Sequence, residues 1–172
     1  SVKTLPSYAE GLKELRSNLK SMLPVDSLKI FDKDAKHLKD KFHNILKVKA
    51  GDKAPDFTLS NAVGESVNLF DKLKKKRIVL VFYRGTWCPY CNLALSQYQT
   101  VLSKLEDNTA SLVAISAQTP DESLSLKEKN NLEFEVLSDN GNLVARLYTT
   151  VFKNDQAPLL EMEKLGFDFD AF

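Results

Sequence analysis

Two short apolar runs constrain this chain more than anything else in it. They are Arg77-Ile-Val-Leu-Val-Phe-Tyr83 and Ser111-Leu-Val-Ala-Ile-Ser116. Continuous runs of this length and β-branched content are expected of strands buried on both faces of a parallel sheet. Between them, from Cys91 to Leu105, Leu95, Tyr98, Leu102 and Leu105 recur at helical spacing. A strand, a helix and a strand with no hairpin signal form a βαβ unit with a right-handed crossover. The chain is therefore expected to be α/β. Thr119-Pro120-Asp121-Glu122 opens a further helix, with Thr as cap, Pro in the first turn and Glu at the third position. Phe134–Leu137 reads as a short strand, Asn140-Gly141 as a turn and Asn142–Tyr148 as a short helix. Upstream, Phe57–Leu59 and Ser66–Asn68 flank Asn61–Gly64 and read as a small hairpin.

The first fifty residues differ in kind. They hold 11 basic and 6 acidic residues, against 13 and 17 in residues 51–172, and the sign changes at Ala50-Gly51-Asp52. Ser7-Tyr8-Ala9-Glu10 has the form of a capping box. Tyr8, Leu12, Leu15, Leu19 and Met22 make one helical stripe, ended by Pro24. Leu28, Phe31, Ala35, Leu38, Phe42 and Ile45 make a second, beginning after Asp26 and stopped by Gly51. The expected arrangement is a helical hairpin whose apolar faces bury on each other or on the next domain. The expected divisions are a helical extension over 1–50, an α/β domain over 51–152 and a helical tail over 153–172. Lys29, Lys33, Lys36 and Lys39 lie off the second stripe and read as a solvated face rather than an anion-binding one.

Composition removes several function classes. A net charge of +1 gives no global attraction to nucleic acid. The basic run Lys72–Arg77 lacks interleaved aromatics and precedes an aggregation-prone strand, where gatekeeper charges are expected. The longest apolar run, Ile78–Tyr83, is far too short to span a bilayer, and no stretch reads as a signal peptide. Neither a nucleic-acid nor a membrane partner is expected, and a reducing, cytoplasmic location is. His37 and His43 are six apart and do not share a helix face, so no metal site and no cofactor are expected.

The two cysteines carry the chemistry. Cys88-Pro89-Tyr90-Cys91 falls directly after the first buried strand, expected to be central, and opens the following helix. Sites of open α/β sheets collect at that strand end. A helix N-terminus presents unpaired N–H groups and about half a positive charge, both of which favour thiolate over thiol. Arg84 adds a nearby cation if its side chain turns inward. At pH 7 a thiol of pKa near 8.5 is only a few per cent ionised, whereas one of about 6 is roughly 90% thiolate. Trp87 and Pro89 restrict the loop and should keep the sulfurs within bonding distance. A loop at a helix start is not a core position, so inert buried cysteines are disfavoured, and half a zinc site would want a second Cys or His pair.

These segments together resemble the peroxiredoxins of the alkyl hydroperoxide reductase/thiol-specific antioxidant family, within the thioredoxin-like superfamily. The resemblance runs from about Gly51 to Val151. It is carried by Gly51-Asp-Lys-Ala-Pro-Asp-Phe57, Val81-Phe-Tyr-Arg-Gly-Thr-Trp-Cys-Pro-Tyr-Cys91, Val113-Ala-Ile-Ser-Ala-Gln-Thr-Pro-Asp-Glu-Ser123, Leu132–Asp139 and Val144-Ala-Arg-Leu-Tyr148. The Trp-Cys-Pro-Tyr-Cys loop is similar to that of a peroxiredoxin-like subgroup. The resemblance implies a thioredoxin-like fold and reduction of a peroxide by a cysteine thiolate. The resulting sulfenic acid condenses with a second Cys, and a thioredoxin, glutaredoxin or glutathione-type thiol reduces the disulfide. Cys88, Cys91, Thr86 and Arg84 are the candidate catalytic residues, and Trp87 and Tyr83 the candidate substrate-binding ones.

Two departures from the family pattern shape the expectation. Laid ungapped on the family's Pro-x-x-x-Thr-x-x-Cys, Arg84 falls on the Pro, Cys88 on the Thr and Cys91 on the attacking Cys. Laid as a thioredoxin-type loop, Cys88 is the exposed nucleophile and Cys91 resolves; the helix-start position favours Cys88, nearer the dipole's end and water. Thr86 would then donate a hydrogen bond toward sulfur or peroxide. After Val151 the family's hairpin, its loop-packing proline and its later arginine are not found. Pro158 sits outside any strand pattern, and Leu159–Leu165 reads as a helix. The C-terminal part of the fold is thus expected to be truncated, with a partner chain, as in a homodimer, covering an open sheet edge. The same Cys pair also suits a protein disulfide reductase. A redox-sensing or non-catalytic interaction module would instead use the helical hairpin and the tail residues Leu159, Leu160, Met162, Leu165, Phe167, Phe169 and Phe172.

Overall fold

The computed structural model describes residues 7–43 and 46–166. Ile45 of the second stripe and the tail residues Phe167, Phe169 and Phe172 lie outside the described residues. A single sheet holds β1 (Thr58–Asn61), β2 (Ser66–Asn68), β3 (Arg77–Phe82), β4 (Ala110–Ser116) and β5 (Glu135–Ser138), in the order β2-β1-β5-β4-β3. β1 and β2 form the antiparallel hairpin, pairing Leu59 with Val67. β3, β4 and β5 run parallel, joined through α4 (Pro89–Asp107) and α5 (Pro120–Asn130). Alternation along β4 divides the interior. Val113 and Ile115 join Phe57, Leu69, Leu137 and Tyr148 on one face, while Leu112 and Ala114 join Leu95, Leu102, Leu126 and Val136 on the other. The first face is covered by α3 (Leu69–Leu73) and α6 (Ala145–Tyr148). Asp139, 1% exposed, holds the entrance to α6 by accepting from the main-chain N–H of Val144 and Ala145.

β3 departs from the sequence expectation. It is neither central nor buried on both faces: it pairs with β4 alone, its first residue is exposed, and Val79 is 40% exposed. An apolar, β-branched run reports that a strand has partners, but not on how many sides. Among the described residues β5 is the last strand, and the chain beyond Val151 contributes the helix α7 (Gln156–Lys164).

The N-terminal helices are α1 (Tyr8–Met22) and α2 (Val25–Lys41). Ser7 and Glu10 complete the capping box of α1. Of the two burial options, the hairpin takes the neighbouring domain. α1 packs on α4, where a Cβ on Gly11 would come 3.0 Å from Leu93, and α2 packs on α7. A buried hydrogen bond from Ser27 Oγ to Glu161 Oε2 (2.6 Å) and the stack of Phe42 on Phe152 fasten α2 to the C-terminal segment. α2 starts a residue before Asp26 and ends at Lys41, well short of Gly51, because Phe42 leaves the helix to reach Phe152. Its inward face also differs from the apolar stripe: Ala35 is exposed and Asp34 is buried. Lys29, Lys33, Lys36 and Lys39 are all exposed.

The junction of β1, β4 and β5 bears the core. Leu137 is fully buried there. Leu137→Ala should cost about 2–5 kcal/mol of unfolding free energy, read as a lowered urea midpoint with an unchanged transition slope.

Candidate active site

The parallel register of β3 and β4 brings their C-terminal ends side by side. Phe82 lies opposite Ile115, and Tyr83 N–H donates to Ile115 O (3.0 Å). Beyond this point residues 84–88 form a tight loop. Gly85 has φ +152, and a Cβ there would fall 2.4 Å from Trp87 Nε1, so the indole lies directly on the glycine backbone. The loop is clamped by Gln118, just past β4 and 1% exposed, whose side chain lies 3.4 Å from the same Cβ position. Its Oε1 accepts from Thr86 N–H, and its Nε2 donates to Thr86 Oγ1, both at 2.8 Å. Asn92 Nδ2 donates to Thr86 O (2.8 Å), and Cys88 N–H closes a turn onto Gly85 O (3.1 Å).

Cys88 is the N-cap residue of α4, with Pro89 at the first helical position. That placement follows the sequence expectation. The exposure does not: Cys88 is only 4% exposed, while Cys91 is partly exposed. Cys88 closes the turn onto Gly85 O, whereas Cys91 lies within the first turn of α4. Both sulfurs line a cleft of about 280 Å³, with Tyr83, Arg84, Tyr90 and Tyr98 among its walls.

The two thiols are electrostatically unequal. Cys88 is lowered to about 6, first by a hydrogen bond from the Cys91 thiol. Burial opposes this, and the N–H of Cys91, the Arg84 charge and the N–H of Tyr90 add to it. Cys91 is pushed far above the ordinary thiol range. The causes are its hydrogen bond with Cys88, burial and the Cys88 charge, against which the Arg84 N–H (3.5 Å from Cys91 Sγ) and the Arg84 charge are too weak. The proton is thus favoured on Cys91 and the negative charge on Cys88.

The other sequence candidates are placed as follows. Arg84 lines the cleft, and its charge favours the anionic form of both thiols. Its guanidinium stacks over Trp87 at 4.5 Å, and Nη2 donates to Asn154 Oδ1 at 3.0 Å. Thr86 and Trp87 form the loop behind the cleft rather than its wall; Tyr83 does line it, with its hydroxyl buried toward Ser116 and Ser123. Gln118, Asn92 and Asn154 escaped the sequence reading. Gln118 had a usable signal, since it follows β4 at the same sheet end where the cysteine loop follows β3; Asn154 had none. Among the described residues no three His, Cys, Asp or Glu side chains converge as a metal site.

Two outcomes test this geometry. Alkylation of Cys88 should accelerate as pH rises through about 6 and level off above, because only the thiolate reacts, and Cys91→Ala should move that midpoint upward. Gln118→Ala leaves the Thr86 N–H without its partner and should cost about 1–3 kcal/mol in a denaturation titration. Because Trp87 is the sole tryptophan, the same variant should also show an altered emission spectrum.

Comparisons with known proteins fit the site's architecture. The model of the AhpC/TSA family matches residues 50–163. The bcp peroxiredoxin of Coxiella burnetii is 35% identical over 103 residues, covering 60% of this chain and 68% of the relative. Peroxiredoxin Bcp of Escherichia coli K12 is 31% identical over 101 residues, 59% of this chain and 64% of the relative. The crystal structure of peroxidoxin BcpB from Mycobacterium tuberculosis superposes with a TM-score of 0.57 at 26% identity, over 59% of this chain and 66% of that one. The chain spans about two thirds of the length of these relatives. With a thioredoxin-like fold and a family match over most of its length, the chain belongs to the AhpC/TSA family and is an oxidoreductase of the peroxiredoxin type.

Proposed function

We propose that this protein is a thiol-dependent peroxidase that uses Cys88 as nucleophile and Cys91 as resolving thiol. The observation that carries the reading is the placement of Cys88 as the N-cap of α4 with Cys91 in the same turn, an arrangement that pulls the Cys88 pKa down and pushes that of Cys91 up. The Cys88 sulfur attacks one peroxide oxygen of ROOH. An S–O bond forms, the O–O bond breaks, and RO⁻ leaves to take a proton as ROH. Arg84, a cation acting on both sulfurs, favours the developing negative charge.

Oxidation then activates the second thiol. The leading causes of the high Cys91 pKa are its bond to the Cys88 sulfur and, after burial, the charge there. Both are lost once Cys88 is a neutral sulfenic acid, so Cys91 can ionise and attack. The S–S bond forms, the S–O bond breaks, and the oxygen departs as water with the Cys91 proton. An external dithiol or two monothiols restore the pair and carry off two electrons as a disulfide. Thioredoxin, glutaredoxin or glutathione chemistry would serve, in a reducing compartment such as the cytoplasm. A homodimer covering the free edge of β3 is compatible with this reading.

One equivalent of hydrogen peroxide should remove two hydrogens from the intact mass of the reduced protein. Cys88→Ser should abolish the reaction, and Cys91→Ser should retain a sulfenic acid trappable by dimedone. Trapping in Cys88→Ser instead would reverse the two roles. Rapid insulin reduction without peroxide consumption would move the protein to the disulfide reductases, and inertness in both assays would leave a non-catalytic module.

A further inference from the structure

The helical extension reaches the active-site loop through a charge cluster that the peroxide chemistry does not itself call for. Asp34 of α2 is 9% exposed, and its Oδ1 is buried without a hydrogen-bond partner. Three titratable groups act on it electrostatically: Arg84 from the loop after β3, Asp155 at the N-cap of α7, and His37 one turn along α2. Burial raises the Asp34 pKa and Asp155 adds to the rise, while Arg84 and His37 act against it. Arg84 is the group shared with the active site. Its Nη2 donates to Asn154 Oδ1, beside Asp155, its guanidinium lies over Trp87, and its main-chain N–H points at Cys91 Sγ. α2 is fastened to the segment that carries Asn154 and Asp155 on both sides of Asp34, by Ser27 on Glu161 and by Phe42 on Phe152.

We propose that Asp34 is a positioning residue that acts through Arg84, drawing the guanidinium toward α2 and Asn154 and so weakening its hold on the Cys88–Cys91 pair. The inference rests on the reading of Cys88 as the reactive thiolate. The same cation cannot serve a carboxylate and a thiolate at full strength, because each anion that shares it compensates part of its field. An unpaired, buried carboxylate oxygen is costly to keep, and its placement next to the one arginine of the active-site loop gives the extension a direct influence on the nucleophile. Asp34→Asn keeps the shape and removes the charge, which should release Arg84 toward the sulfurs.

The measurement is the pH midpoint of Cys88 alkylation in full-length wild type, Asp34→Asn, Arg84→Gln and the double variant, with thermal melts to verify folding. Asp34→Asn should lower the midpoint by about half a pH unit, equivalent to about threefold more thiolate on the acid side. Arg84→Gln should raise it, and Asp34→Asn should have no further effect in the Arg84→Gln background. Trp87 emission should shift in Asp34→Asn, because the cation stacked on it has moved. An unchanged midpoint in Asp34→Asn overturns the proposal while leaving the Cys88 assignment standing. An equal shift in the Arg84→Gln background overturns it as well, since Asp34 would then act without Arg84. Loss of the midpoint near 6 in the wild type itself would instead overturn the thiolate reading beneath it.

Discussion

The hydrogen-bonded pairing of β3 with β4 sets where chemistry can occur in this molecule. Two parallel strands in register end at the same level, so the segments that follow them are forced together. One carries Thr86, Trp87 and Cys88; the other carries Gln118. The Gln118 amide satisfies both the N–H and the hydroxyl of Thr86, in a position almost sealed from water. A glutamine there replaces solvent that the loop cannot reach, and its two bonds fix the loop's height above α4. Gly85 completes the arrangement, because only a residue without a Cβ lets the Trp87 ring lie on the backbone.

The fixed loop gives the cysteine pair its polarity. At the first turn of α4 the two thiols share a single proton unevenly, and the asymmetry comes from position rather than residue type. Cys88 sits at the cap, near free N–H groups, whereas Cys91 is inside the turn and senses its neighbour's charge. On the proposed peroxidase reading, that asymmetry would make Cys88 the attacking sulfur and leave Cys91 to resolve once the charge on Cys88 has been consumed.

Much of the scaffold was legible from the residues alone, for definite reasons. The βαβ unit was visible because β4 is apolar throughout and Leu95, Leu102 and Leu105 repeat at helical spacing. The capping boxes at Ser7–Glu10 and Thr119–Glu122 are local interactions, fully encoded within four residues, and both form. What failed was everything set by distant partners. The edge position of β3, the burial of Cys88 and the inward rotation of Asp34 in place of Ala35 depend on packing that periodicity does not contain. The stripe on α2 misled because Phe42 and Asp34 answer to Phe152 and Arg84, which lie 110 and 50 residues further along the chain.

The burial of Cys88 has a kinetic meaning. On the proposed reading, a cysteine residue only 4% exposed would be met by a two-oxygen oxidant that diffuses into the cleft, but hardly by a disulfide fixed in another folded domain. The more accessible Cys91 is where a bulky electron donor would first touch the oxidised pair. Depth alone would thus sort incoming molecules by girth, admitting the oxidant at one sulfur and the regenerating thiol at the other.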